Sequence, residues 1–280
     1  MVDACKRSDV HFAAGDAWRN LAAIWEAKRL IDDGAIGEVK SMNVYHPTDE
    51  IHGGGCQSLG LMRLFAGDCP VSHVTGWAGT DGRNAGELHS DGDQSLGGVV
   101  VFESGVRCTI HSEAVAKRGF EVLGTEGVFW SGNFETFEIK RMDDDDPTRT
   151  AWRPGLRSFW RGEDSLDFGH TRPDAPDGVE KDGWRTMATR QADSVAGVVD
   201  AVIGEAAEPR CTGDNLRQVL EVAIALRESA RRGGVPQPLP LADRSSQIEP
   251  HPGRLFSKKG GALTLENYAQ EIRGAGDTML

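Results

Sequence analysis

A chain of 280 residues, 39% hydrophobic and 26% charged, can bury a substantial core as one large domain or two small ones. Its formal net charge of −12 excludes the basic stripe that a nucleic-acid surface needs, and argues equally against docking on anionic lipid. The five cysteines (Cys5, Cys56, Cys69, Cys108 and Cys211) are widely spaced without a CxxC pair, which fits neither a disulfide framework nor a zinc site.

Free thiols point to a reducing compartment. With no charged leader before an apolar run and no apolar stretch of bilayer length, a soluble, cytoplasmic protein is expected. In chain order, the first seven residues read as the end of a helix and residues 10–14 as a short buried strand. Asn20 reads as the N-cap of a helix running to about Asp33, with Leu21, Ile24, Ala27, Leu30 and Ile31 on one apolar stripe. Gly34 ends it in a left-handed cap, and Ile36-Gly37-Glu38 leads into an alternating strand, Val39–Tyr45. A glycine-rich loop and a helix over residues 57–65 follow, closed by Gly67.

Strand signals come next at Val71–Ala78, Leu96–Phe102 and residues 106–111, the last two forming a hairpin across Ser104-Gly105. Residues 120–123, 128–130 and 134–141 continue the meander. Val106, Cys108 and Ile110 alternate with polar partners, as in a sheet with one covered and one more open face. Asp143 to Asp146 form a carboxylate run, and residues 143–183 lack periodicity. Their aromatics, Trp152, Phe159, Trp160 and Phe168, suit either an ordered arm or surface loops packed on themselves.

Two helices finish the core. Val195, Val198, Val199 and Val202 line the first; Leu216, Val219, Leu220, Ala223 and Ile224 line the second, with Thr212 as N-cap and Gly233 as stop. Pro209 breaks the chain between them, Pro236 to Pro240 start an extended tail, and residues 263–272 read as a short terminal helix.

The junction Gly34-Ala-Ile-Gly37 after its helix, the Gly53-Gly54-Gly55 loop, Gly67, and the corner Gly124-Thr-Glu-Gly127 occur in an order that resembles the glucose-fructose oxidoreductase/inositol dehydrogenase family (Gfo/Idh/MocA). The likeness covers residues 2–241. It implies an α+β fold: an open, mostly antiparallel sheet with helices on one face, the other face often used for dimerisation. It divides the chain into a remnant helix and strand of a Rossmann-type domain (1–19), the family's C-terminal domain (20–241) and a tail (242–280). The implied activity is that of an NAD(P)-dependent sugar or polyol dehydrogenase, with NAD or NADP expected for a full-length member.

Two departures qualify this. The chain has neither the glycine-rich dinucleotide turn nor the Glu-Lys-Pro segment of the family, so no cofactor is expected to bind this chain alone; Trp18 and Arg19 are at most fragments of such a site. Met1 accordingly reads as an internal methionine, or the gene as truncated. Counting back from Gly67, the family's His-x-x-Asp pair falls on Gln57 and Gly60, and a glutamine amide cannot exchange a proton near neutral pH.

The resemblance places Arg19, His46, Gly54, Gly55 and Gln57 around a substrate, with His46 the surviving titratable candidate for catalysis. Arg19 could instead pair with a nearby carboxylate. His46 and His52 flank Asp49-Glu50, which reads as a polar loop rim rather than a metal site. His111 is placed on the open side of the sheet, and no G-x-S-x-G supports a serine hydrolase. Two functions stand: the substrate-binding and oligomerisation part of a sugar or polyol oxidoreductase, inactive by itself, or a cofactor-free carbohydrate-binding or assembly module. The expected partners are a small carbohydrate or polyol and a second copy of the chain through the open sheet face.

Overall fold

The computed structural model describes residues 1–13, 15–16, 18–45, 55–79, 95–111, 119–132, 138–142, 156–158 and 181–246. Its helices are α1 (Val2–Arg7), α2 (Ala22–Asp32), α3 (Cys56–Phe65), α4 (Lys181–Ile203) and α5 (Gly213–Arg231). Its strands are β1 (Val39–Tyr45), β2 (Val71–Ala78), β3 (Leu96–Phe102), β4 (Arg107–Ile110), β5 (Gly119–Gly124), β6 (Gly127–Ser131), β7 (Glu138–Met142), β8 (Leu156–Ser158) and β9 (Gln237–Pro238). They form one sheet in the order β8-β7-β6-β5-β1-β4-β3-β2-β9. The β1–β4 pair is parallel and the others are antiparallel. The fold is therefore the α+β arrangement with a mostly antiparallel open sheet that the sequence led us to expect.

The parallel pair follows from the crossover between its strands. After β1 the chain runs through α3, β2 and β3 before β4 returns beside β1, a connection too long for a hairpin. Alternation then assigns the faces. Met42 and Val44 of β1, Cys108 and Ile110 of β4, and Val122 of β5 are buried in the core with Leu59, Met62 and Phe65 of α3 and Val222 and Leu226 of α5. The Phe65 ring lies 5.4 Å from that of Phe120 and 5.1 Å from that of Phe129, fixing α3 across β5 and β6.

Two sequence motifs prove to be each other's packing partner. α2 ends with Gly34 at φ 89°, where Ala35 N–H reaches back to the Leu30 carbonyl in a Schellman closure. Gly37 (φ 69°) has no room for a Cβ against Thr125, and Gly124 has none against the Ile36 carbonyl. The Thr125 and Glu126 amides donate to the carbonyls of Glu38 (3.0 Å) and Ile36 (2.9 Å), so the junction and the β5–β6 corner interlock.

α5 starts where the sequence placed it. The Thr212 hydroxyl accepts from Asn215 N–H at 3.2 Å while Asn215 Oδ1 accepts from Thr212 N–H at 2.8 Å, a capping box worth about 1 kcal/mol. α5 then lies directly on β2, because a Cβ on Gly76 would overlap the Leu226 carbonyl oxygen.

Several expectations need correction. Residues 10–13 do not form a strand, and Ala14 lies outside the described residues: Ala13 makes one antiparallel bridge to Thr212, and Phe12 caps α5 by accepting from Gly213 N–H at 2.8 Å. With no strand beside it among the described residues, that backbone is satisfied by a helix start instead. Asn20 does not cap α2; Leu21 occupies that position, and the Asn20 amide turns inward to the Asp16 carbonyl at 2.8 Å. Val195, Val199 and Val202 of α4 are 62%, 46% and 68% exposed, so that stripe faces outward rather than into the core. Leu216 and Leu220 are likewise exposed, because α5 turns its smaller Ala223, Ala225 and Ala230, with Val219 and Val222, inward. β8 also falls within a stretch read as lacking periodicity. The terminal helix expected over residues 263–272 lies outside the described residues.

Candidate substrate-side site

The segment before α2 is folded by a single carboxylate. Asp16 Oδ1 accepts from the backbone N–H of Trp18 (3.1 Å) and Arg19 (3.0 Å), an Asx turn that aims the Arg19 side chain inward. The Arg19 guanidinium, 2% exposed, makes a bidentate pair with Asp68 at 2.9 and 2.6 Å. It also donates to the carbonyls of Gly60 (3.3 Å) and Arg210 (3.1 Å). One arginine thus ties together the segment before α2, the middle of α3, the loop that closes α3 and the approach to α5. The ion pair that the sequence offered as the alternative for Arg19 is present, with Asp68 as its carboxylate. Trp18 beside it is buried.

Asp16 is set against α3 by the absence of a side chain at Gly60, where a Cβ would overlap Asp16 Oδ2. Gly60 is the position that the resemblance equates with the family's aspartate, so a carboxylate does lie at this point of the helix, supplied from a different segment. Gln57 is three residues earlier, on the same side of α3. Burial raises the Asp16 pKa from 3.8 to about 6, against the opposing pull of its two backbone donors and the Arg19 charge. Cys211 nearby is pushed up to about 12 by burial and by the Asp16 charge, so it remains a thiol at neutral pH.

The Asp16 shift sets a pH dependence of defined sign. Between the unfolded value of 3.8 and about 6 the folded state holds a proton that the unfolded state has lost, so stability falls as pH rises through this window. The full cost above pH 6 is roughly 3 kcal/mol from a shift of about two units. Urea titrations of the wild type and Asp16→Asn at pH 4.5 and 7.5 are expected to diverge, with the variant lacking most of this fall. Parallel curves would remove Asp16 as the source.

Of the other expected site residues, Gly55 is the N-cap of α3, and Gln57 stands half-buried in its first turn. His46, Gly54, His52 and the Asp49-Glu50 pair lie outside the described residues. Among the described residues no cluster of three or more His, Cys, Asp or Glu side chains could hold a metal. His111 stacks on Tyr45 with ring centroids 4.7 Å apart, and Tyr45 OH and Asn43 Nδ2 both donate to Glu121 at 3.2 and 3.0 Å. Asn43 and Tyr45 alternate with buried Met42 and Val44, so this cluster lies on the sheet face opposite the core. Sequence reasoning missed Asp16, Asp68 and Arg210. The Asp-x-x-Arg spacing of an Asx turn was the available signal for the first; nothing local announced the other two.

No family model matches the chain, and no curated protein sequence matches it. Solved structures do. An oxidoreductase from Agrobacterium radiobacter, in complex with NAD+, L-tartaric acid and magnesium, aligns at a TM-score of 0.58 and 15% identity over 85% of this chain and 68% of its own. A levoglucosan dehydrogenase in complex with NADH and levoglucosan aligns at 0.58 and 17%, over 86% and 69%. An inositol dehydrogenase homolog from Azotobacter vinelandii, complexed with NADH and myo-inositol, aligns at 0.56 and 13%, over 84% and 66%. No described helix is long and apolar enough to cross a membrane. The chain has the fold of the Gfo/Idh/MocA-type oxidoreductases.

Proposed function

We propose that this chain is the substrate-binding and oligomerisation part of an NAD(P)-dependent sugar or polyol dehydrogenase, and that by itself it does not transfer hydride. The observation that carries the reading is a shared fold in which the helix after the glycine loop presents Gln57 in its first turn. Gln57, Gly54, Gly55 and His46 line the substrate in this reading, with the Gln57 amide donating to and accepting from hydroxyls. Asp16 and Arg19 hold α3 in place behind them.

The described residues and the glycine spacing of the sequence do not fit a dinucleotide. A pyrophosphate is held by free N–H groups of a glycine-rich turn opening a helix. At α5 that position is filled by the Thr212–Asn215 capping box, and the α3 loop lacks the G-x-G-x-x-G spacing. We therefore derive no hydride step from this chain. In this reading the sheet face carrying Asn43, Tyr45, Glu121 and Trp130 joins two copies, and five cysteines without a CxxC pair suit a reducing cytoplasm.

A second reading, a carbohydrate-binding or assembly module without chemistry, is favoured by one observation: Gln57 stands where a proton-exchanging group would be needed. The experiment common to both is calorimetric titration with a panel of polyols and pyranoses. Saturable binding of at least one compound is expected, weakened roughly five- to tenfold in Gln57→Leu by loss of a hydrogen bond. Binding to none, or binding that Gln57→Leu leaves untouched, would overturn the site.

A further inference from the structure

A cavity lies between the C-terminal end of α3, the start of β2, α5 and the Leu239-Pro240 segment, with a volume of about 120 Å³. It is lined by Arg63 and Arg217 on the basic side and by Glu103 and Glu221 on the acidic side. Arg63 is 3% exposed, and its Nε–H is buried without a hydrogen-bond partner. Its Nη2 makes only a long bond to the Asp68 carbonyl (3.4 Å) and lies 3.9 Å from the Asp68 carboxylate. That carboxylate is already bidentate to Arg19. Arg63 thus keeps a buried charge with no close carboxylate of its own beside an open space. Such a charge is costly unless paired.

We propose that this cavity is a binding site for a small oxyanion, inorganic phosphate or the carboxylate of a small acid, held by Arg63 with Arg217 at its mouth. Guanidinium forks match both groups in shape and charge. The volume equals about four water molecules, enough for such an ion and too small for a nucleotide. Of the acidic side chains, Glu221 and Asp214 pair with Arg217, at 3.0 and 3.7 Å, and neither pairs with Arg63. Glu221 is engaged by Arg217 (3.0 Å), by Leu241 N–H (3.0 Å) and by Arg244 (3.5 Å). Glu103 is exposed on the β3–β4 turn, where water screens it. Burial holds the Arg63 pKa below the ordinary arginine value; Asp68 opposes this, and the nearby Arg19 and Arg217 charges reinforce it. A bound anion would relieve that repulsion.

The test is thermal unfolding of the full chain in phosphate, acetate and chloride at equal ionic strength. Phosphate or acetate is expected to raise the midpoint by about 2–4 °C over chloride, the size of shift that a tenfold excess over Kd gives a domain of this size. The anion that produces the shift identifies the source. Arg63→Met is expected to abolish it, and Arg217→Gln, at a 43% exposed position that tolerates change, to reduce it by half or more. Glu103→Gln is expected to increase it. If Arg63→Met fails to fold, Arg217→Gln and Glu103→Gln still decide. Equal midpoints in all three salts, or a shift that neither surface variant alters, would overturn the proposal.

Discussion

Asp68→Asn is expected to destabilise the protein by about 3–5 kcal/mol, the cost of leaving buried charge without its partner. The substitution is nearly isosteric, and asparagine tolerates the left-handed conformation of this residue (φ 54°), so the effect isolates the charge. Both Arg19 and Arg63, 2% and 3% exposed, would lose their only carboxylate among the described contacts. Urea unfolding should show a lower midpoint with an unchanged slope. Removing both members of the main pair, as in Arg19→Met with Asp68→Ala, should cost less than the sum of the single changes, because no unpaired charge then remains at that pair. A loss below about 1 kcal/mol for Asp68→Asn would mean that the two guanidiniums reach water more freely than their burial indicates.

Gly76→Val should be the more damaging change, leaving the chain unable to fold to a soluble product. Its Cβ would overlap the Leu226 carbonyl, a backbone atom that cannot move without carrying α5 with it. The same contact positions Gly76 N–H on Ser229 Oγ at 2.9 Å, and that hydroxyl donates onward to the Val235 carbonyl at 2.8 Å. Lifting α5 therefore breaks a buried hydrogen-bond chain and opens the core around Leu226 and Val222. Gly76→Ala, the milder form, is expected to cost about 3 kcal/mol or more by overpacking. Gly132→Ala provides the control, since a Cβ there meets only the edge of Trp130 at 3.6 Å. Similar stabilities for the two alanine variants, measured by denaturant titration, would show that α5 does not rest on β2 as described.

The elements most legible in the sequence were those specified locally. Thr212 with Asn215, Gly34 after the α2 stripe, and the alternation of β1 each carry their instruction within a few residues. Their order was also legible, and the interlock of Ile36–Glu38 with Thr125–Glu126 explains why: two motifs far apart in sequence fit only against each other. Orientation was harder. The α4 valines share a helical face, but periodicity does not say whether that face meets the sheet or solvent. The buried ionic network was the least legible part, because Asp16, Arg19, Asp68 and Arg210 come from three distant stretches and meet only through tertiary packing. Reading Gln57 and Gly60 as bare departures from a family pattern also missed that Asp16 supplies a carboxylate from outside the helix.

We propose that this chain carries the substrate side of an oxidoreductase fold without a dinucleotide site. It is tested most directly by titrating the purified chain with NADH and NADPH and following quenching of its seven tryptophans. The expected result is no saturable quenching up to about 1 mM of either cofactor, an affinity no better than about −4 kcal/mol. Saturable binding of either one in the micromolar range would contradict the account.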